Sequence, residues 1–473
     1  MGFIWDQIFC NIFNFSIDIS KHKEYNKLIH IKKHKQCVAA HNNLQILHIT
    51  IQNVAIQNLI WEEVIIIKVQ RCEQIIIKKT HPKFKVIDQQ CFYSKNLYNE
   101  ANYTIRQEFT NNNNFINYYD MNKEFKTHDN YKLTFSQPAN CTLRLLDKNW
   151  KSFFKAIKDW KKNPSKYLGM PRLPKYLPKD GRFLWMIPNN QLLYDYDKSA
   201  IYIRNRLLND YNWKCRCLGR PIQVRFIPRG SCYVMEIVYE IEIEEVQTEP
   251  TRITAIDLGV DNLVTMTNNI GLNPIIINGK GIKSINQYYN KRLAKEKSLL
   301  KIRHGKDWSN KLDSITFKRF QRIKNYMHNT SSYIVKWCKQ NNIDTLIVGL
   351  NKEWKQESAM NKKSNQNFIS IPYNMLLQQL KYKCENLGIR YVETEESYTS
   401  GTSFIDKEEP VKQNYNKARR VKRGLFKSNS GLLINSDVNG SYQIMKKVFP
   451  NAVDRYGIEA VLTPTVINAT KVA

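Results

Sequence analysis

The sequence predicts an α+β chain of several domains, and three observations predict it. Strand-type alternation and helical spacing fall in separate blocks along the chain rather than in one repeated unit. The length, 473 residues, suffices for two or three domains with sizeable cores. A hydrophobic fraction of 42% with 12% aromatic residues is that of a folded chain.

In chain order, residues 1–68 are rich in Ile, Asn and His and lack Gly or Pro punctuation after Gly2. They read as an N-terminal extension outside the folded pattern. From about Val69 the pattern becomes legible, with a short strand at Cys72–Lys79 and helical spacing from Phe84 to Phe109. An Asn-rich loop at Asn111–Asn114 and a polar linker follow. Cys141–Lys161 is an amphipathic helix whose Leu143, Leu146, Trp150, Phe153 and Phe154 share a side opposite lysines. That face suits either a solvated surface or a phosphate-tracking one. The proline-punctuated stretch Pro164–Asp180 reads as an extended loop. Residues 183–245 alternate apolar with polar, as a half-buried antiparallel sheet or barrel does.

After a linker at Glu244–Thr251 come strands at 252–258, 262–268 and 274–278. Basic helices from about Ile285 and from Asn310 to Gln340 follow, then strand 344–349, helix 373–387, strand 389–393 and a closing helix at 439–448. Three antiparallel strands, then helix, strand, helix and strand, is the order of an RNase H-like fold. The first strand delivers Asp257 beside the turn at Gly259. Asp437 stands where an apolar pair meets a helix start, a position that suits either a helix cap or a metal ligand. The strand ending at Asn351 offers no acid, whereas the next offers Glu393, Glu395 and Glu396. Two or three convergent carboxylates can hold a pair of Mg²⁺ ions, one activating water and the other stabilising a leaving 3′ oxygen.

Eight segments carry a family resemblance: Ser94–Tyr103, Trp150–Ala156, Gly169–Lys175, Ile256–Leu263, Asn365–Phe368 with Ile371-Pro372, Glu395–Ser400, Arg423–Phe426 and Asp437–Gly440. With these in order over about 400 residues, the chain resembles the TnpB proteins, RNA-guided nucleases of insertion sequences. The resemblance implies a wedge β-barrel over 69–250 with a helical recognition insert at about 84–165. A RuvC-like nuclease domain over 251–473 would follow, with a degenerate zinc-ribbon region at about 399–436. It implies a guide RNA from the transposon end and double-stranded target DNA cut beside a short transposon-adjacent motif. Mg²⁺ is the implied metal, with Mn²⁺ as an admissible substitute.

Carried over residue by residue, Asp257 and Asp437 are the first and last catalytic aspartates and metal ligands. The family's usual glutamate position falls on Gly349 or Leu350 and is empty. In the subgroup with a relocated glutamate the matching residue is Glu396, with Glu395 as its substitute, because strand alternation lets only one of them face Asp257. The four ribbon cysteines are also missing, since none follows Cys384. No zinc is therefore expected, and residues 401–436 must order without it or form a mobile basic loop.

Lys+Arg 73 against Asp+Glu 42 leaves a net charge of +31, which calls for a polyanion partner. Helices 285–303 and 310–340 are the expected place for guide RNA or heteroduplex. An anchored membrane protein is disfavoured, because no apolar run reaches about 18 residues. The ten cysteines are scattered without a C-x-x-C pair, so a reducing cytoplasm is expected, with nucleoid association through DNA. The opening residues lack a basic n-region and a myristoylation signal. The next methionine after Met1 is Met121, so a non-AUG start near Val69 is expected, to be checked by N-terminal mass spectrometry. The activity expected is RNA-guided DNA cleavage. Its rivals are a nuclease-inactive guided repressor and a transposase or transposition accessory protein.

Overall fold

A computed structural model describes residues 30–32, 64–245, 249–351, 362–452 and 464–469. Most of the expected N-terminal extension, 1–29 and 33–63, lies outside the described residues. The strand expected at 72–79 begins earlier: β2 spans Val64–Ile77 and pairs with β1, His30–Lys32. Residue 69 is thus inside a strand, because the β-branched run Val64–Ile67 extends the antiparallel ladder with the later strand Cys232–Glu245 as far as Ile65.

The first half couples a helical module to two sheets. Helix α1, Phe84–Asn112, and helix α4, Ser136–Lys162, face each other through Leu97, Ala101, Ile105, Leu143, Leu146 and Trp150. The segment read as a polar linker is instead two short helices, α2 at Tyr118–Phe125 and α3 at Asp129–Thr134. Their apolar residues are too few for periodicity to show, yet Met121, Phe125 and Tyr131 are buried in the same core.

The sheets use β3 (Trp185–Pro188), β4 (Leu192–Asp195), β5 (Ala200–Ile203), β6 (Asn212–Lys214), β7 (Arg220–Arg229) and β8 (Cys232–Glu245). Orders β1-β2-β8-β7-β3 and β4-β5-β6 enclose one barrel-like core around Trp185, Trp213 and Phe226.

The second half is built on a six-stranded sheet. Its strands are β9 (Ile253–Leu258), β10 (Asn262–Asn268), β11 (Ile275–Asn278), β12 (Thr345–Gly349), β13 (Arg390–Thr394) and, after two small strands elsewhere, β16 (Thr465–Ile467). The order is β13-β12-β9-β10-β11-β16. The β9–β10–β11 pairs are antiparallel, whereas β12 runs parallel to both β9 and β13. This is the RNase H-like arrangement expected from the element order.

Between β11 and β12 lie α5, Lys280–His304, and α6, Asn310–Gln340. Gly305, at φ 61°, closes α5 in the left-handed conformation that glycine tolerates. Helices α7, Lys362–Ile369, and α8, Tyr373–Glu385, connect β12 to β13. Beyond β13 come β14 (Leu425–Lys427), β15 (Leu433–Asn435) and α9, Ser436–Val448. Among the described residues no helix is long and apolar enough to cross a membrane.

The two faces of this sheet bury different partners. Ile256, Leu258, Leu346 and Val348 pack with α6 and α8. Ile253, Ala255, Ile347 and Val392 pack under Ile444 and Met445 of α9. Because side chains alternate along a strand, Asp257 shares the α9 face with Ile253 and Ala255.

Candidate carboxylate centre

Asp257 ends the run Ile253–Ile256 on the central strand, where burial on both sides fixes its register. Helix α9 approaches closely because position 440 is glycine: a Cβ there would lie 3.2 Å from Asp257 Oδ2. The Ser441 hydroxyl fastens the same turn to the Ala255 carbonyl at 3.0 Å.

Asp437 is not the helix cap that its position allowed. Asn435 holds that role, its Oδ1 accepting from the Asp437 and Val438 amides at 2.9 and 3.2 Å. The Asp437 carboxylate is left for other partners. Asn262 Nδ2 donates to its Oδ2 at 2.7 Å, and an Arg420 guanidinium nitrogen stands 3.9 Å from its Oδ1.

Of the two adjacent glutamates, the structure brings Glu396 to this centre and leaves Glu395 at the surface, 3.6 Å from Lys447 Nζ. Strand parity explains the split, since Glu396 continues the face of Val392 and Glu395 that of Tyr391. Glu393 faces away too, accepting from the Tyr391 hydroxyl at 3.1 Å. Gly349, at the end of the neighbouring strand, makes room for Ile444 of α9: a Cβ there would run into Ile444 Cδ1, with the Glu396 Cβ in ordinary contact at 3.4 Å. Asn351 Nδ2 donates to Glu396 Oε1 at 3.0 Å, while Glu396 Oε2 is buried with no hydrogen-bond partner among the described residues.

The electrostatics follow from crowding acids in a low dielectric. Burial, then the charges of Glu396 and Asp437, push the Asp257 carboxyl well above the usual carboxylate range, with Arg420 opposing. Burial raises Glu396 to about 7 against the pull of Lys447. The buried Tyr373 phenol is raised too, by burial and then by Asp257 and Glu396. Its hydroxyl donates to the Gly259 carbonyl at 2.8 Å, bracing the turn after Asp257.

A donor set made only of carboxylate oxygens, with one orphaned buried oxygen and raised acids, fits a hard divalent cation. As they stand, no three His, Cys, Asp or Glu side chains among the described residues are gathered tightly enough to hold one. Asp257, Glu396 and Asp437 are electrostatic neighbours, not yet a cage.

The cysteine-free stretch is held by charge. Arg419 forms a bidentate ion pair with Glu408, and its NH2 also donates to Asn429 Oδ1 at 2.8 Å. Glu408 accepts from the Ser403 amide at 2.8 Å, and Asp406 from the Asn429 amide at 2.7 Å. Within 401–436 the half-buried Arg419–Glu408 pair and the acceptors for the Ser403 and Asn429 amides cross-link the segment without cysteines, as a bidentate charged pair can. That segment presents Arg420 to Asp437 and ion-pairs Arg423 with Asp261.

Helices α5 and α6 form a cleft lined by Tyr288, Tyr289, Arg292, Lys318, Arg319 and Arg322. Arg319 lies 4.8 Å over the Tyr289 ring, and Tyr288 is exposed. Aromatic rings interleaved with cations suit a nucleic-acid strand.

Sequence reasoning missed Asn262, Asn351, Tyr373 and Arg420. Their one legible signal was an amide in place of an acid beside two strand ends.

Comparison with known proteins defines the class first. Residues 236–355 match the OrfB_IS605 model, described as a probable transposase, and residues 373–444 match the Cas12f1-like TNB domain. The TnpB-like protein ORF457 of Acidianus two-tailed virus is 21% identical over 399 residues, covering 75% of this chain and 81% of that protein. Both domain matches and this relative are consistent with the TnpB family that the motifs resemble.

Similar solved structures include a Cas12f1–sgRNA–target DNA complex, with TM-score 0.48 and 14% identity over 76% of this chain and 82% of that one. Another is the mini-RNA-guided endonuclease CRISPR-Cas_phi3, with TM-score 0.44 and 11% identity over 82% and 92%. The fold rests on the sheet order, not on these likenesses.

Proposed function

We propose that this chain is an RNA-guided, Mg²⁺-dependent DNA endonuclease of a transposable element. The observation that carries the reading is the under-compensated carboxylate group of Asp257, Glu396 and Asp437 on an RNase H-like sheet. These three would hold Mg²⁺ or Mn²⁺, and the metal would supply an activated water and charge stabilisation for phosphodiester hydrolysis.

The chain's own residues prepare that centre. Packing limits the solvation of Asp257 and Glu396 while leaving Asp437 partly exposed, and Gly440 lets α9 bring Asp437 close to Asp257. Arg420 lies on the solvent side of Asp437, where an incoming phosphate would meet it. The α5–α6 cleft is where guide RNA or heteroduplex would lie, and the net charge of +31 supports a polyanion. Guide pairing would read sequence, with the protein reading a short flanking motif on duplex DNA. The domain reading is a wedge unit that takes in the whole of β2 from Val64 and runs to about 250, followed by the nuclease unit over 251–473.

A second reading, a guided DNA-binding repressor without nuclease activity, draws on the carboxylates not being gathered into a cage. One assay separates them: protein co-expressed with transposon-end RNA is offered a plasmid library with randomised flanks. Cutting that requires Mg²⁺ and is lost in Asp257→Ala, Glu396→Ala and Asp437→Ala, with guided binding retained, supports the nuclease. Guided binding without cutting by the wild type supports the repressor. Normal cutting by Glu396→Ala with loss in Glu395→Ala would move the glutamate assignment.

A further inference from the structure

Two of the three acids are held by the same device, on opposite sides of β9. Asn262, at the start of β10, donates to one oxygen of Asp437 at 2.7 Å. Asn351, just past the end of β12, donates to one oxygen of Glu396 at 3.0 Å. Those two strands are the direct neighbours of the strand that carries Asp257.

The reach of Asn262 is not an accident of alternation. Val264 and Met266, of the same parity, point into the core on the far face of the sheet. A register shift between Asn262 and Val264, where two residues of β10 advance against one of β11, breaks that parity. Such bulges re-aim a side chain at the cost of a ladder pairing. Here the re-aimed side chain is the one that meets Asp437.

The two contacts also share a consequence. The asparagine amide nitrogen is a neutral donor, so each tether fixes a carboxylate's rotation without adding a charge to the centre. Among the described residues, Glu396 Oε2 is buried and unpartnered, and Asp437 Oδ1 has the Ser436 hydroxyl at 3.3 Å and Arg420 at 3.9 Å. One oxygen of each acid is tethered and the other is presented.

From this geometry we infer that Asn262 and Asn351 are positioning residues of the carboxylate centre, orienting Asp437 and Glu396 for a divalent cation. The inference rests on the nuclease reading, and it adds two side chains that touch neither substrate nor metal. Groups that orient metal ligands typically account for about 10–100-fold in metal affinity.

The test is Mn²⁺ binding to the guide-loaded protein, read by the electron paramagnetic resonance of free Mn²⁺, beside the melting temperature without metal. Wild type should bind Mn²⁺ at a site that Asp257→Ala lacks. Asn262→Ala and Asn351→Ala should each weaken that site by about 10–100-fold with guided DNA binding retained. Serine at either position keeps a short donor and should recover part of the loss, and it serves as the second variant if alanine unfolds the chain. Mn²⁺ affinity within about twofold of wild type in both alanine variants would overturn the inference while leaving the nuclease reading intact. A wild type with no Mn²⁺ site beyond that of Asp257→Ala would overturn both.

Discussion

Asp88 and Asp257 are both aspartates in folded surroundings, one in each half of the molecule, and their environments have opposite effects. Asp88 also suffers burial, but Arg182 donates to it through two nitrogens at 3.0 and 2.9 Å and the Tyr233 hydroxyl at 2.7 Å. Those bonds outweigh the burial and hold its carboxyl below the usual range. Asp257 is buried beside two further acids and is pushed the other way. In the same half as Asp88, Trp150 Nε1 is likewise partnered, donating to Asn102 Oδ1 at 3.0 Å, although Trp185 Nε1 and Trp213 Nε1 in the barrel core have no partner among the described residues. The second half leaves a buried glutamate oxygen open. A buried charge that is fully partnered serves stability, whereas one left under-compensated is where a ligand can contribute binding energy.

The comparison can be broken by substitution, beginning with the largest effect. Asp257→Asn should reduce cutting by about 10³-fold or more in a plasmid assay, with gel-shift binding to guided target unchanged. In the first half, Trp150→Ala removes a fully buried side chain and its hydrogen bond, and should cost about 3–5 kcal/mol in denaturant unfolding. Asp88→Asn should destabilise by about 1–3 kcal/mol, because Arg182 loses its charged acceptor.

The same carboxylate-to-amide change at the other site should have the opposite sign. Without divalent metal at pH 8, Glu396→Gln should melt above wild type, as it removes a charge that burial opposes. The pH dependence sharpens this contrast. The folded protein holds a proton on Glu396 up to about 7, whereas the unfolded chain releases it in the ordinary carboxylate range. Stability of the metal-free protein should therefore fall as pH rises across that window, and Glu396→Gln should flatten the slope. Asp88 works in reverse: its depressed folded value gives stability above the ordinary carboxylate range that is lost on acidification.

The smallest expected effect is local. Arg419→Met should make 401–436 more sensitive to limited proteolysis, and added salt should do so more weakly in wild type, since the Arg419–Glu408 pair is mostly shielded from solvent. Unchanged proteolysis would show that the ion pairs do not hold this segment.

Long, strongly periodic elements were legible from local sequence. Helix α6 and strand β10 have the bounds that spacing and alternation gave, and the order of strands and helices was enough for the RNase H-like class. Short elements were not legible, because α2 and α3 carry too few turns for a period to emerge. Asp257 and Asp437 stood out as acids at element junctions. Their surroundings did not, since a carboxylate's partners come from residues far away in the chain.

By itself, then, the sequence determined the class of fold, the basic charge and the identity of the acids available to the site, because these depend on composition and short-range periodicity. The tertiary structure decided which acids meet. It placed Glu396 rather than Glu395 toward Asp257 through the parity of β13, and gave the cap of α9 to Asn435. It turned Asn262 toward Asp437 through one bulge, and braced 401–436 with Arg419 and Glu408 where cysteines are missing. The Asn435 cap is a local contact, but the others depend on register and on packing between segments that only the fold brings together.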